Sequence, residues 1–198
     1  MRLRKIARSP SQRRILVGAV VLPTLALLAV GSGLLASARQ QATPNDGGSA
    51  GTRIVVEPDK ATMLSSSELR SYAASLAHPV YWAGSSEGAG LEVTETKRGE
   101  VFVRYLTPGA RAGDERPDFM TVGSYPLDRA HEILVESTEG VDMRAAEAPG
   151  GGTAAWDQRR SSSVYMAYPG LDVLVEVFDP TPQRARELVL SGEVGVVR

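Results

Sequence analysis

The sequence predicts an α+β fold: one N-terminal transmembrane helix, then a single domain with an antiparallel sheet and about three helices. Two observations predict it. An uncharged apolar run, 15–38, follows a strongly basic start. Beyond residue 52, segments with the two-residue alternation of strands are interspersed with segments that have the helical period. A chain of 198 residues is long enough for one domain with appendages.

The first 38 residues predict a membrane anchor. Residues 1–14 carry six basic side chains and no acid, and the 24 residues 15–38 carry no charge. About 20 apolar residues in a helix cross a hydrocarbon core of ~30 Å. Basic residues before the run favour a cytoplasmic N-terminus, so the rest of the chain is extracytoplasmic. We expect a basic cytoplasmic segment at 1–14 and a helix in the lipid bilayer at 15–38. Because the basic residues lie directly before an apolar run, we expect them to lie at a membrane surface and do not expect a nucleic-acid partner.

A cleaved signal peptide is the alternative interpretation of the same segment. Ala36-Ser37-Ala38 has the small residues of a cleavage site. The apolar run is longer than the roughly 7–15 residues of an ordinary signal core, which favours an uncleaved signal anchor. Cleavage after Ala38 would instead give a secreted protein. In both cases the domain leaves the cytoplasm.

Charge and composition separate the rest of the chain from its start. From residue 52 onward, 15 basic side chains face 22 acidic ones, a net charge of −7. Cysteine is absent, which excludes disulfides, thiolate metal sites and cysteine nucleophiles. Only three of the 22 basic residues are lysine, a bias typical of GC-rich bacterial genomes. Residues 39–51 are polar and rich in Gly and Ala, which predicts a flexible linker before a domain at 52–198.

Capping signals predict the three helices of the domain. Ser65 and Glu68 have capping-box spacing, and the helix that follows ends before Pro79. A second helix is expected to open at Pro126 and end near residue 140. Thr181 should cap the third, which ends at Gly192.

Alternating apolar residues predict the strands, with a looser segment through 148–152. The predicted strands are 80–83, 91–97, 101–107, 119–125, 153–158, 163–168, 172–179 and 194–197. The strand at 101–107 is apolar on both faces, so we expect it to be central and covered on both sides.

The two halves of the domain resemble each other. Strand 101–105, a strand ending at Tyr125 and a helix match 164–168, a strand ending at Phe178 and the third helix. This similarity predicts a degenerate ββ(β)α repeat, one antiparallel sheet with helices packed on a face. The alternative is that any two α+β stretches look alike at this level of detail.

No sequence motif identifies a catalytic, cofactor-binding or metal-binding residue, and none indicates a cofactor. His78 and His131 do not have ligand spacing, so we expect a helix-end contact for His78 and a packed edge for His131. Asp114, Glu115 and Asp118 fall in one charged loop. We interpret this loop as a solvated surface loop with an internal ion pair; the alternatives are a catalytic acid/base pair and a weak cation site.

The aromatic residues are the remaining sequence feature that could indicate a binding function. A set of seven of the eleven aromatic residues, all of them on predicted strands or strand ends, comprises the tyrosines and tryptophans Tyr81, Trp82, Tyr105, Tyr125, Trp156, Tyr165 and Tyr168. Such rings either line a binding groove or pack in the core. We expect a membrane-held binding or interaction domain, not an enzyme, with an unidentified protein partner or small ligand. The alternatives are an exported hydrolase that uses Asp114, Glu115 or Asp118, and an accessory subunit of a membrane complex.

Overall fold

A computed structural model describes residues 54–160 and 162–198, which belong to one compact unit. The predicted basic segment 1–14, anchor 15–38 and linker 39–51 lie outside the described residues. In the described ranges, no helix has the length and apolar character needed to span a membrane.

The α+β class and the three helices are confirmed, and the described residues also form ten strands. The strands are β1 Thr62–Leu64, β2 Tyr81–Trp82, β3 Gly90–Glu95, β4 Val101–Leu106, β5 Thr121–Pro126, β6 Met143–Ala148, β7 Gly152–Asp157, β8 Ser163–Ala167, β9 Val173–Phe178 and β10 Gly195–Val196. The helices are α1 Ser66–Ala73, α2 Ala130–Ser137 and α3 Pro182–Ser191.

Eight strands form one antiparallel sheet in the order β1-β3-β4-β5-β9-β8-β7-β6. The order is symmetric about the central β5–β9 pair, with β4, β3 and β1 on one side and β8, β7 and β6 on the other. Strands β2 and β10 pair separately as a short ribbon.

One face of the sheet, the core face, carries the hydrophobic core. Alternate side chains of a strand point to opposite faces, and Val101, Val103 and Tyr105 of β4 join the core cluster together with alternate residues of β9. Helices α1 and α3 contribute Leu69 and Leu188 to the same cluster. Each fully buried aliphatic side chain contributes about 1.5–3 kcal/mol to stability.

Hydrogen bonds fix the ribbon of β2 and β10 on the core face. The amide of Tyr81 donates to Oγ of Ser124 at 2.9 Å, and the amide of Ala83 donates to the Tyr105 hydroxyl at 2.7 Å. The ribbon and the two helices together cover the core face.

The opposite face, called the second face below, is covered in two places. Helix α2 packs over β7, β8 and β9, where His131 meets Thr153. The 107–120 loop lies over β3 and β4 and contacts Glu92 and Arg104. Strand β4 lies inside the sheet with five of its six residues buried, as predicted.

Two expectations about the elements are wrong, and two strands, β1 and β6, are not predicted by the sequence patterns. The helices do not share a face, because α2 packs on the second face. Pro126 does not open α2: it ends β5, opposite Val173, and the helix begins at Ala130 after a left-handed Arg129 at φ 57°. Residues 143–148 form the edge strand β6, although the small side chains of that segment give little strand signal.

Candidate functional site

The register of the sheet places a row of side chains across the second face. Cα partners run from Thr94 on β3 through Phe102, Gly123 and Glu176 to Tyr165 on β8. Adjacent strands lie about 4.8 Å apart, so these residues form one continuous row. Glu176 is the charged residue within it.

Two tyrosines hold the carboxylate of Glu176, which is only 7% exposed. The hydroxyl of Tyr125 donates to Oε2 at 2.6 Å, and the hydroxyl of Tyr165 donates to Oε1 at 3.2 Å. Among the described residues, no Lys, Arg or His lies within 4.0 Å of this carboxylate. Its hydrogen-bond donors are therefore neutral phenols.

Gly123 leaves the space that the Tyr125 ring fills. A Cβ atom at position 123 would lie 2.9 Å from Cε2 of that ring. The ring of Phe102 meets Tyr125 edge to face, with centroids 5.5 Å apart. We call Phe102, Tyr125, Tyr165 and Glu176 the aromatic patch. Its three rings are partly exposed.

The electrostatics of the aromatic patch keep both phenols protonated. Burial raises the pKa of Tyr125, and the negative charge of Glu176 raises it further. The same two causes, in the same order, raise the pKa of Tyr165. Both hydroxyls are therefore hydrogen-bond donors at neutral pH.

A second buried glutamate on this face has a cationic partner. Glu92 is 1% exposed, and Nη1 of Arg104 lies 2.6 Å from its Oε1. The amide of Gly113 donates to the other oxygen at 2.6 Å. Arg104 also donates through Nη2 to the carbonyls of Asp114 and Arg116. The pair thus fastens the 107–120 loop to the sheet.

The acidic loop contains the internal ion pair that the solvated-loop interpretation expects. Asp114 and Arg116 are 3.0 Å apart, and the side-chain hydrogen bonds from Arg116 lower the pKa of Asp114. Glu115 and Asp118 are exposed. Across residues 54–160 and 162–198, no group of three or more His, Cys, Asp or Glu side chains could hold a metal ion.

The two histidines make structural contacts. His131 packs at the edge between α2 and β7, as expected, with Nε2 3.1 Å from Oγ1 of Thr153. His78 does not bind the carbonyls at the end of α1. Its Nε2 lies 2.9 Å from the carbonyl of Gly99, in the turn between β3 and β4.

The remaining predicted aromatic residues divide between core and surface. Tyr81, Trp82 and Tyr105 are at most 9% exposed and belong to the core cluster. Tyr168 stacks on Tyr81 at 6.2 Å. Trp156 is half-buried in a shallow groove of about 540 Å³ along α3, with the guanidinium of Arg186 5.7 Å from its ring.

Sequence reasoning finds Tyr125 and Tyr165 but does not assign Glu176 or Phe102 to a site. The available signal is a single charge inside the apolar strand β9. An apolar strand of this kind is covered on both faces, so a carboxylate within it is buried and needs hydrogen-bond partners.

In comparisons with known proteins, no family model, curated protein or solved structure matches this chain. Its function is therefore inferred from the residues and contacts described above.

Proposed function

We propose that this chain is a single-pass membrane protein whose exported α+β domain is a non-catalytic binding or interaction domain. The basic segment 1–14 and the uncharged run 15–38 support the anchor and its orientation. The polar linker 39–51 supports a domain held at the outer face of the cytoplasmic membrane.

The aromatic patch is the observation that carries the binding proposal. Tyr125 and Tyr165 fix a buried carboxylate by two hydrogen bonds, and Phe102 packs edge to face on Tyr125; all three rings are partly exposed. Apolar rings with a few convergent polar groups are typical of ligand sites. The patch lies on hydrogen-bonded neighbouring strands, β4, β5, β9 and β8, so it is organised before a ligand arrives.

The contacts of the 107–120 loop argue against the hydrolase alternative. A general base near neutral pH needs a pKa raised towards the working pH, whereas the hydrogen bonds from Arg116 lower the pKa of Asp114. The backbone of Asp114 and Gly113 also binds the buried Glu92–Arg104 pair. These contacts favour a structural role for the loop.

We also propose that the domain is a degenerate ββ(β)α repeat. The symmetric strand order supports it, because β4 and β5 occupy the places on one side of the sheet that β8 and β9 occupy on the other. The helices that follow lie on opposite faces, which limits the correspondence to the strands. The repeat predicts that, across close relatives, the two halves align better with each other than with shuffled sequences. Equal scores would contradict it.

Complementation of a deletion strain tests the binding proposal. Asp118→Ala should preserve the phenotype. Phe102→Ala, which removes a partly exposed ring of the aromatic patch but keeps both hydrogen bonds to Glu176, should lose the phenotype in a protein that still folds. A normally folded Asp118→Ala chain without any activity would instead indicate an enzyme.

Sequencing of the mature N-terminus tests the anchor. The anchored protein should not be cut after Ala38 and should need detergent for release from membranes. A mature chain that begins at Arg39 would make it a secreted protein.

A further inference from the structure

The two buried glutamates of the second face differ in their partners. Glu92 has the guanidinium of Arg104 at 2.6 Å. Glu176 receives only the phenol hydroxyls of Tyr125 and Tyr165, and no described Lys, Arg or His lies within 4.0 Å. A carboxylate removed from water is stabilised by a positive charge as well as by hydrogen bonds. Glu176 lacks that charge within the described part of the domain.

The groups around Glu176 favour a cation with a hydrocarbon surface. The faces of Phe and Tyr rings are electron-rich and attract cations within about 6 Å of the ring centroid. Tyr125 and Tyr165 supply two such rings at the carboxylate, and the ring of Phe102 lies edge to face with Tyr125. Calcium and magnesium, in contrast, need about six oxygen ligands, and a single carboxylate among aromatic rings does not supply them.

We propose that the aromatic patch binds a small organic cation, an alkylammonium or quaternary ammonium compound. The positive group faces the carboxylate of Glu176, and the carbon atoms contact the rings of Phe102, Tyr125 and Tyr165. This inference rests on the proposed binding function and names the ligand class for it.

Two pairs of compounds separate charge from shape in the unmodified protein. Choline has a neutral analogue of nearly the same shape, 3,3-dimethylbutan-1-ol, and butylammonium can be compared with butan-1-ol. We expect calorimetric titration of the full-length chain in non-ionic detergent to show each cation binding at least about tenfold more tightly than its neutral counterpart. The stronger of the two cations identifies the quaternary or the primary ammonium class.

Glu176→Gln tests the residue, and Glu147→Gln is its matched control. Gln keeps an acceptor for the phenols but removes the charge. Glu147 is an exposed carboxylate on β6 that points to the same face, because its neighbour Ala148 belongs to the core cluster. We expect a loss of about tenfold or more in cation affinity for Glu176→Gln, and a change of less than about twofold for Glu147→Gln.

Equal binding of a cation and its neutral analogue would overturn the inference, and this comparison does not depend on any variant folding. Unchanged cation affinity in a folded Glu176→Gln protein would overturn it too, as would the absence of binding by either cation. In that last case, a folded Phe102→Ala protein that loses the phenotype would still support the proposed binding function. The ligand class alone would then be wrong.

Discussion

The buried ion pair between Glu92 and Arg104 also holds the 107–120 loop in position. Arg104 binds Glu92 and two loop carbonyls, and the guanidinium groups of Arg104 and Arg116 lie 5.0 and 4.8 Å from the ring of Phe119. Loss of one partner leaves an uncompensated charge in the sheet, whereas loss of both leaves none.

Arg104→Met should therefore destabilise the domain by about 3–5 kcal/mol. The double variant Glu92→Leu with Arg104→Met should cost clearly less, because no buried charge then remains. Urea unfolding of both variants and of the parent measures the difference. A double variant as unstable as Arg104→Met, or more so, would contradict a charge-based explanation.

The two tryptophans should differ in their effect on stability. Trp82 is 9% exposed and belongs to the core cluster, whereas Trp156 is half-buried beside Arg186. Truncation of a core Trp to Ala costs about 3–5 kcal/mol, so Trp82→Ala should fall in that range and Trp156→Ala should cost much less. Equal losses of melting temperature would contradict this assignment.

The helices and strands that the structure shares with the sequence prediction are those with the strongest local sequence patterns. The capping box at Ser65 and Glu68 forms as predicted, and β3, β4, β8 and β9 occur where strong apolar alternation predicts them. Half of the side chains of strand β6 are alanine, and the strand lies at the sheet edge, where it pairs only with β7 among the described strands. Its residues lack the apolar alternation that predicts strands elsewhere in the domain.

The candidate site was less predictable. Tyr125 and Tyr165 are visible as aromatic strand residues, but they meet at Glu176 only because β5 and β8 both flank β9. That strand order comes from long-range packing of the sheet, which a single sequence does not show.

The N-termini of α1 and α3 should differ in how much their N-cap residues contribute to stability. Ser65 accepts a hydrogen bond from the amide of Glu68, so Ser65→Ala should cost about 1 kcal/mol. Thr181 occupies the N-cap of α3, but its side chain makes no cap bond; the carboxylate of Asp179 accepts from the Thr181 amide instead. Thr181→Ala should therefore change stability by less than about 0.5 kcal/mol. Denaturant unfolding of both variants measures the two losses of stability. A larger loss for Thr181→Ala than for Ser65→Ala would contradict the prediction.

For the whole molecule, the six tyrosines predict how stability depends on alkaline pH. The pKa of each phenol is raised, chiefly by burial, and that of Tyr81 rises to about 12. Since the unfolded chain loses these protons near pH 10, folding binds protons above that pH. The stabilising contribution of the neutral phenols is complete below pH ~10 and is lost as the pH rises towards the folded-state values.

Ultraviolet titration of the phenolate band should therefore show no tyrosine ionising with an ordinary pKa in the folded protein. The melting temperature should fall from about pH 10 upward, and Tyr81→Phe should reduce the slope between about pH 10 and pH 12. A folded protein in which several phenols titrate near pH 10 would contradict the described burial.

The central proposal at this scale is that the domain works outside the membrane while 15–38 anchors it. Two reporter fusions test this most directly, each with an enzyme that is active only outside the cytoplasm. We expect activity when the reporter follows Arg198 and no activity when it follows Arg14. Inactivity after Arg198 together with activity after Arg14 would contradict the proposed topology and place the domain in the cytoplasm.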